Sequence, residues 1–353
     1  MKAVRFHEFG GADKLRYEEN VPDPQVGPTE VLVRVRGCAL NHLDIWVRMG
    51  QRGQAEMEMP HILGCDVAGE VAAVGSAAQG LQAGQKVVIN PGISCGRCTQ
   101  CLAGNDNMCL SYHILGQRVN GGYAEYVKAP ATNIVPMPAR LSFEEAASVP
   151  LVFLTAWHML VSRARLQAGE DVLVQAAGSG VGIAAIQIAK LFGARVITTA
   201  STDEKLKKAR ALGADETINY TSQDFVQEVR RITNKKGVDV VVEHVGGDIF
   251  EKSVRCLATN GRLVTCGATA GFSPAMDLRY VYGRHQNILG SYMGSKSELM
   301  YLLKFFDSGQ LRPVVHAVFP LQEARKAHEA MENRQNFGKL VLQAAMVSQR
   351  HRL

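Results

Sequence analysis

Four cysteines, Cys95, Cys98, Cys101 and Cys109, fall within the single stretch GISCGRCTQCLAGNDNMC. Their spacing, Cys-x2-Cys-x2-Cys-x7-Cys, obliges the local fold to gather four thiolates around one centre, the tetrahedral arrangement zinc selects. Half of the chain's eight cysteines lie in these fifteen residues, too concentrated for unrelated free thiols. Four protein ligands leave no coordination position open. The expected zinc therefore holds structure and performs no chemistry.

A chain of 353 residues is long enough for two domains, each with its own core. A hydrophobic share of 46% and a charged share of 20% describe an ordinary globular balance. The net charge of +6 is modest. Its basic clusters, Lys205, Lys207, Lys208 and Arg210, then Arg230, Arg231, Lys235 and Lys236, have the spacing of solvated helix faces. No aromatic residues interleave with them, so no nucleic-acid platform is expected. The most apolar stretch, 146–161, contains Pro150, Thr155 and His158 and is too short to span a bilayer, so no membrane association is expected. The opening MKAVRFHEFGG reads as a strand and turn rather than a signal peptide, and cysteines arranged for metal suit a reducing cytoplasm.

Up to about residue 150 the chain carries short β-type runs (Val31 to Val35, Asp66 to Val74, Lys86 to Ile89) and one helical interruption from His42 to Met49. This predicts an irregular, mostly antiparallel β domain with the cysteine lobe, 91–110, inserted after Pro91. From about Leu151 strands alternate with helices. Strands are predicted at Asp171 to Ala176, Arg195 to Ala200, Val238 to Val242, Arg262 to Cys266 and Asn287 to Gly290, and helices at Val181 to Phe192 and Asp203 to Leu212. Repeated βα units predict an α/β fold with a doubly wound parallel sheet. Helices from Ser297 to Ser308 and Leu321 to Asn333, then a strand from Lys339 to Gln343, are expected to return the chain to the first domain, with a frayed QRHRL tail. The domain boundaries expected are 1–152, 153–291 and 292–353.

The strand DVLVQAA runs directly into Gly178, Ser179, Gly180, Val181 and Gly182, which open a helix. Glycines there let the backbone approach a pyrophosphate, whose charge meets amide N–H groups at the helix N-terminus. The end of the next strand chooses the nicotinamide cofactor. An acidic residue there accepts from the ribose hydroxyls of NADH, but this chain has Ala200, Ser201 and Thr202. Small hydroxyl residues leave room for a 2′-phosphate, and Lys205 lies one helical turn on to neutralise it. NADPH is thus expected, with NADH as the alternative because Asp203 would favour it if placed at the strand end.

The cysteine lobe, the glycine loop, the PLVFLTAWHML linker and the LGCDVAGEVAAVG stretch together resemble the medium-chain dehydrogenase/reductase superfamily, the zinc alcohol dehydrogenases and quinone oxidoreductases. The resemblance covers essentially the whole chain. It implies a chaperonin-10-like catalytic domain, a Rossmann domain, an active site in the cleft between them, and a homodimer or homotetramer. Thr155 and the Cys266-Gly267 turn would lie near the nicotinamide, and residues 290–294 would border the pocket. Tyr220 and Arg334 match phosphate-binding positions of the quinone oxidoreductases.

The resemblance breaks at the catalytic zinc. Where the zinc alcohol dehydrogenases place a Cys-x-x-Asp turn, this chain has Asn41, His42, Leu43 and Asp44; where they place Gly-His-Glu, it has Gly64, Cys65 and Asp66; Leu151 stands for the last cysteine. Leucine binds no metal and a neutral amide is a poor zinc ligand. Two enzymatic readings follow. In one, the centre is metal-free and passes hydride to a quinone or an α,β-unsaturated carbonyl, with Asn41 and His42 as hydrogen-bond donors and Trp46 as a wall. In the other, His42, Cys65 and Asp66 improvise a zinc site for alcohol and aldehyde chemistry. A catalytically inactive nucleotide-binding protein is a third reading, of another class. Bland roles compete at single positions: Cys65 as a small buried residue, Asp44 as a helix cap, Asp66 as a supporting hydrogen-bond partner. His61, His113 and His158 are further cleft candidates. The stretches 50–58 and 269–284 carry no pattern that names a substrate.

Overall fold

The computed structural model describes residues 1–51 and 57–344. Most of the 50–58 stretch and the whole terminal tail lie outside the described residues. Two compact units emerge, Met1–Leu151 with Pro313–Leu353, and Val152–Arg312. The architecture is mixed α/β, a β-rich unit and a parallel-sheet unit.

The first unit is built on a seven-stranded sheet in the order Ile134–Pro136, Lys86–Ile89, Asp66–Val74, Glu30–Ala39, Lys339–Gln343, Val315–Pro320, with Tyr126–Pro130 also paired to Glu30–Ala39. Along Glu30–Ala39, Val31, Val33 and Val35 are buried while their neighbours alternate outward, as a half-covered strand requires. Neighbouring strands are antiparallel except the last two, which run parallel. Val315–Pro320 was not anticipated from sequence. Its residues are half-buried or exposed in alternation, too weak an apolar signal to read. The expected 321–333 helix divides into a 3-10 turn, Leu321–Glu323, and a helix, Ala324–Glu332.

Register determines what meets at one end of this sheet. Ala39 pairs with Asp66 on one side and with Val341 on the other. Asn41, just beyond Ala39, is thereby brought beside the first residues of two other strands, Asp66 and Lys339. Three positions far apart in sequence converge without any loop having to reach.

The second unit carries six parallel strands in the order Glu216–Asn219, Arg195–Ala200, Asp171–Val174, Val238–Glu243, Leu257–Thr265, Asn287–Gly290. The first strand in sequence sits in the middle, so the winding reverses between Asp171–Val174 and Val238–Glu243. That reversal opens a crevice at the carboxyl ends of the strands, where such sheets bind ligands. Leu173, Ile197, Val241 and Leu263 are fully buried, as expected of strands covered on both faces. Leu257–Thr265 begins earlier than the predicted start at Arg262, its register shifting between Val238 and Val240 of the partner. The unit runs on to Arg312, past the expected end at residue 291, because the helix Lys296–Asp307 packs within it: Phe306 meets Phe153 edge to face at 4.9 Å. Among the described residues no helix is long and apolar enough to cross a membrane.

Candidate functional site

The cysteine lobe assembles as its spacing predicts. The ligand atoms of Cys95, Cys98, Cys101 and Cys109 all lie within 4.8 Å of one another. The Cys98 and Cys101 sulfurs are 3.5 Å apart, and those of Cys95 and Cys101 3.9 Å. A tetrahedral zinc with bonds of about 2.3 Å separates its sulfurs by roughly 3.8 Å, so the pocket has the right size. Backbone N–H groups of Arg97 and Cys98 point at the Cys95 thiol and pull it down to about 6, favouring the thiolate that zinc requires. The paired strands Gly92–Ile93 and His113–Ile114 close the lobe at its base. When bound, the zinc would supply a cross-link and nothing else.

Asn41, Cys65 and Asp66 come together, and with them comes Lys339, which sequence reasoning missed. Lys339 Nζ donates to Asn41 Oδ1 at 2.6 Å and pairs with Asp66 Oδ2 at 3.1 Å. Asn41 Nδ2 donates to Asp66 Oδ2 at 2.9 Å and lies 3.3 Å from Cys65 Sγ. Asp66 Oδ1 accepts the Leu151 N–H at 2.8 Å. Burial, then the carboxylates of Asp66 and Asp44, pushes the Cys65 thiol well above its ordinary range, so it is neutral and no ready metal ligand. Lys339 uses two of the three N–H donors of its ammonium here.

The improvised zinc set is not assembled. Among the described residues only the four lobe cysteines bring three or more histidine, cysteine or carboxylate ligand atoms together. His42, the first residue of the helix His42–Arg48, is exposed instead, its ring 6.1 Å from Trp46. Asn41 also departs from expectation: both ends of its amide are engaged inside the network, so it positions neighbours rather than offering a free donor.

Asp44 takes its cap role. It accepts the Asn41 N–H at 2.7 Å and the Gly64 N–H at 3.1 Å, tying the helix start to the Gly64–Asp66 turn. Complete burial raises its carboxyl to about 6. A second buried chain extends from it: Tyr123 O–H reaches Asp44 at 3.2 Å, His328 Nε2 meets Tyr123 at 3.1 Å, and Arg48 meets His328 Nδ1 at 3.1 Å and Glu332 beyond. Arginine can only donate, so Nδ1 accepts and Nε2 carries the proton. Burial, and then the Arg48 charge, lowers this imidazole to about 3. The other candidate histidines are each hydrogen-bonded. His61 bonds the Gly116 carbonyl at 3.1 Å, His113 the Ser111 carbonyl at 3.2 Å, and His158 the Glu298 carboxylate at 3.0 Å.

In the second unit, Ser179 caps the helix Gly180–Leu191, its hydroxyl accepting the Gly182 N–H at 2.9 Å. A Cβ on Gly182 would stand 2.4 Å from the Ala176 carbonyl oxygen, so only glycine lets strand and helix approach this closely. The helix start thus presents the amides of Gly180 and Val181 beside Gly178, as a pyrophosphate cradle needs. Ser179 also shares a 2.9 Å hydrogen bond with His244, which follows the buried Glu243, and the Cys266 N–H bonds the Glu243 carbonyl at 3.3 Å. The loop, His244 and the Cys266-Gly267 turn therefore meet at the winding reversal. Thr155, buried, bonds Met293 at 3.9 Å.

At the end of Arg195–Ala200, Tyr220 N–H bonds the Ala200 carbonyl at 3.2 Å, which brings Tyr220 beside Ser201 and the helix bearing Lys205. Asp203 lies beyond the strand end, in the first turn of that helix, and accepts from Asn219 at 2.8 Å. Arg334 belongs to the first unit, where its charge bears on His42.

A family profile described as "Alcohol dehydrogenase GroES-like domain" matches residues 27–139, and one described as "Zinc-binding dehydrogenase" matches 180–308. The chain is 32% identical to the NAD-dependent alcohol dehydrogenase of Sulfurisphaera tokodaii, covering 97% of this chain and 99% of that protein. It is 28% identical to the human quinone oxidoreductase over 93% of each. A solved structure described as an NAD-dependent alcohol dehydrogenase superposes with a TM-score of 0.95 at 51% identity, covering 98% of this chain and 100% of that one. The fold and its sites define a two-unit oxidoreductase with a Rossmann dinucleotide domain and a zinc-binding lobe. The chain belongs to the medium-chain dehydrogenase/reductase superfamily.

Proposed function

We propose that this protein is an NADPH-preferring reductase of quinones or α,β-unsaturated carbonyls whose reaction centre works without a catalytic zinc. The observation that carries the reading is the Lys339 ammonium bonded to Asn41 and Asp66, at the positions where the zinc enzymes of the superfamily bear metal ligands. Bound at the glycine loop, the reduced dinucleotide supplies the hydride. The Gly180 and Val181 amides hold its pyrophosphate, and Ser201, Lys205 and Tyr220 surround its 2′-phosphate. The free N–H of Lys339 donates to the substrate oxygen, where negative charge develops as hydride arrives. Asn41 and Asp66 hold that ammonium in place. The His42 ring reaches solvent at its edge but is crowded by protein around it; that partial desolvation, then the Arg334 and Lys339 charges, holds its imidazole below the ordinary value, so it is neutral at pH 7 and relays a proton from water.

The alcohol reading has support of its own in the 51% identical alcohol dehydrogenase structure and the 32% identical alcohol dehydrogenase of Sulfurisphaera tokodaii. Metal analysis with a substrate panel separates the two. A single zinc per chain, with chelator-insensitive NADPH oxidation by a quinone or enone, supports the proposal. Two zincs with chelator-sensitive alcohol oxidation overturns it. An NADPH to NADH ratio of kcat/KM at or below one removes the cofactor preference alone.

A further inference from the structure

The basic residues Arg230, Arg231, Lys235 and Lys236 have, from sequence, the spacing of a solvated helix face. Arg231, Lys235 and Lys236 are exposed, as that reading expects, and folding adds further cations beside them. Together with Arg255 and Arg284 they line a cavity of about 580 Å3. Gly237 and Leu257 form its floor, at the amino ends of the strands Val238–Glu243 and Leu257–Thr265. The glycine loop lies past the carboxyl end of Asp171–Val174, at the opposite edge of the same parallel sheet. This cavity is therefore separate from the dinucleotide site.

Six cations share the cavity, and three have carboxylate partners: Arg231 with Glu228 at 2.8 Å, Lys236 with Asp239 at 3.2 Å, and Arg255 with Glu251 at 3.9 Å. Among the described residues Arg230 and Lys235 have no counter-ion, and Arg284 only stacks over the Tyr280 ring at 5.5 Å. Arg255 Nε is buried without a hydrogen-bond partner. A buried guanidinium N–H without an acceptor is costly, and six cations set around one concavity raise its local positive potential. Both fall when an anion enters. Four arginines offer planar donor forks that suit phosphate oxygens, and the volume is that of a small-molecule pocket.

We propose that this cavity is a second binding site, for a small polyphosphate-bearing anion, independent of the dinucleotide. The probe is inorganic pyrophosphate, titrated calorimetrically at low ionic strength into the whole protein already saturated with NADPH, so that the glycine loop and the Lys205 region are filled. A binding event is expected that persists under saturating NADPH. Arg230→Gln and Arg284→Gln should each weaken it about tenfold, the loss expected for a charge-assisted hydrogen bond. Lys207→Gln, on another helix, should leave it unchanged. Melting curves confirm that each variant is folded before it is scored. Pyrophosphate uptake abolished by NADPH, or losses below tenfold in both arginine variants, overturns the proposal. So does tighter binding of a short DNA duplex than of pyrophosphate, which would make the surface a nucleic-acid contact.

Discussion

Replacing Lys339 with methionine tests the buried ion pair directly. The side chains of Lys339 and Asp66 are 6% and 0% exposed, so neither is screened by water. Removing one partner of such a pair costs about 3–5 kcal/mol, since the other charge stays buried. Asp66 keeps two donors, the Leu151 N–H at 2.8 Å and Asn41 Nδ2 at 2.9 Å, which places the loss at the low end. A cost of about 3 kcal/mol in a unit of this size lowers its melting temperature by roughly 6–12 °C. Asp66→Asn added to Lys339→Met should recover at least half of that. The buried charge is gone, and the Asn41 amide, released from Lys339, is free to turn its oxygen toward the new amide. Differential scanning calorimetry of the four proteins in this cycle measures both terms. A Lys339→Met loss below about 1 kcal/mol, the level of an exposed pair, refutes the reasoning. So does a double variant that loses as much as the sum of the singles.

His328 makes acid stability measurable. Its folded pKa near 3 lies below the ordinary 6.5, so its stabilising contribution is complete above pH 6.5 and is lost as pH falls toward 3, by at most about 1.4 kcal/mol per pH unit. His328→Gln should flatten the fall in urea midpoint between pH 6.5 and 5. Asp44 acts with the opposite sign, because its pKa of about 6 exceeds the ordinary 3.8 and protonation across that window favours the folded state. Asp44→Asn should steepen the same fall. Cys101→Ser should abolish zinc retention and open residues 94–110 to limited proteolysis, while Kd for NADPH, read by fluorescence, changes little. Ser201→Asp should lower the NADPH to NADH ratio of kcat/KM about tenfold or more, as a carboxylate repels the 2′-phosphate.

What was legible in the sequence was what is local in the chain. The cysteines act within fifteen residues, and the glycine loop joins adjacent elements, so spacing alone states their geometry. Lys339 bonds Asn41 across 298 positions and Tyr123 meets His328 across 205, separations over which no spacing rule operates. A signal for Lys339 did exist: it heads the strand Lys339–Gln343, whose next three residues are buried, and a cation there needs a buried anion. Which anion was decided by strand register. The basic run 230–236 shows the same limit: Arg231 and Lys236 are 69% and 60% exposed, as a solvated face requires, but Arg255 and Arg284 join them only through the fold.

The two sulfur environments differ in how readily each would take up a metal. Cys95 is exposed and aimed at by backbone N–H groups, so forming its thiolate is cheap and metal binding gathers charge that water and amides already favour. Cys65 is fully buried between two carboxylates, which holds it neutral. Asn41 offers a metal only its amide oxygen, and that oxygen already accepts from Lys339. Asp66, the one anion among Asn41, Cys65 and Asp66, is balanced by the same ammonium. A divalent ion entering there would meet a cation and no thiolate, leaving excess positive charge in a buried space. At the lobe an ion would complete a charge balance; beside Asn41 that balance is already met by the Lys339–Asp66 pair, which is the basis of the proposal that lysine, and no metal, faces the substrate oxygen.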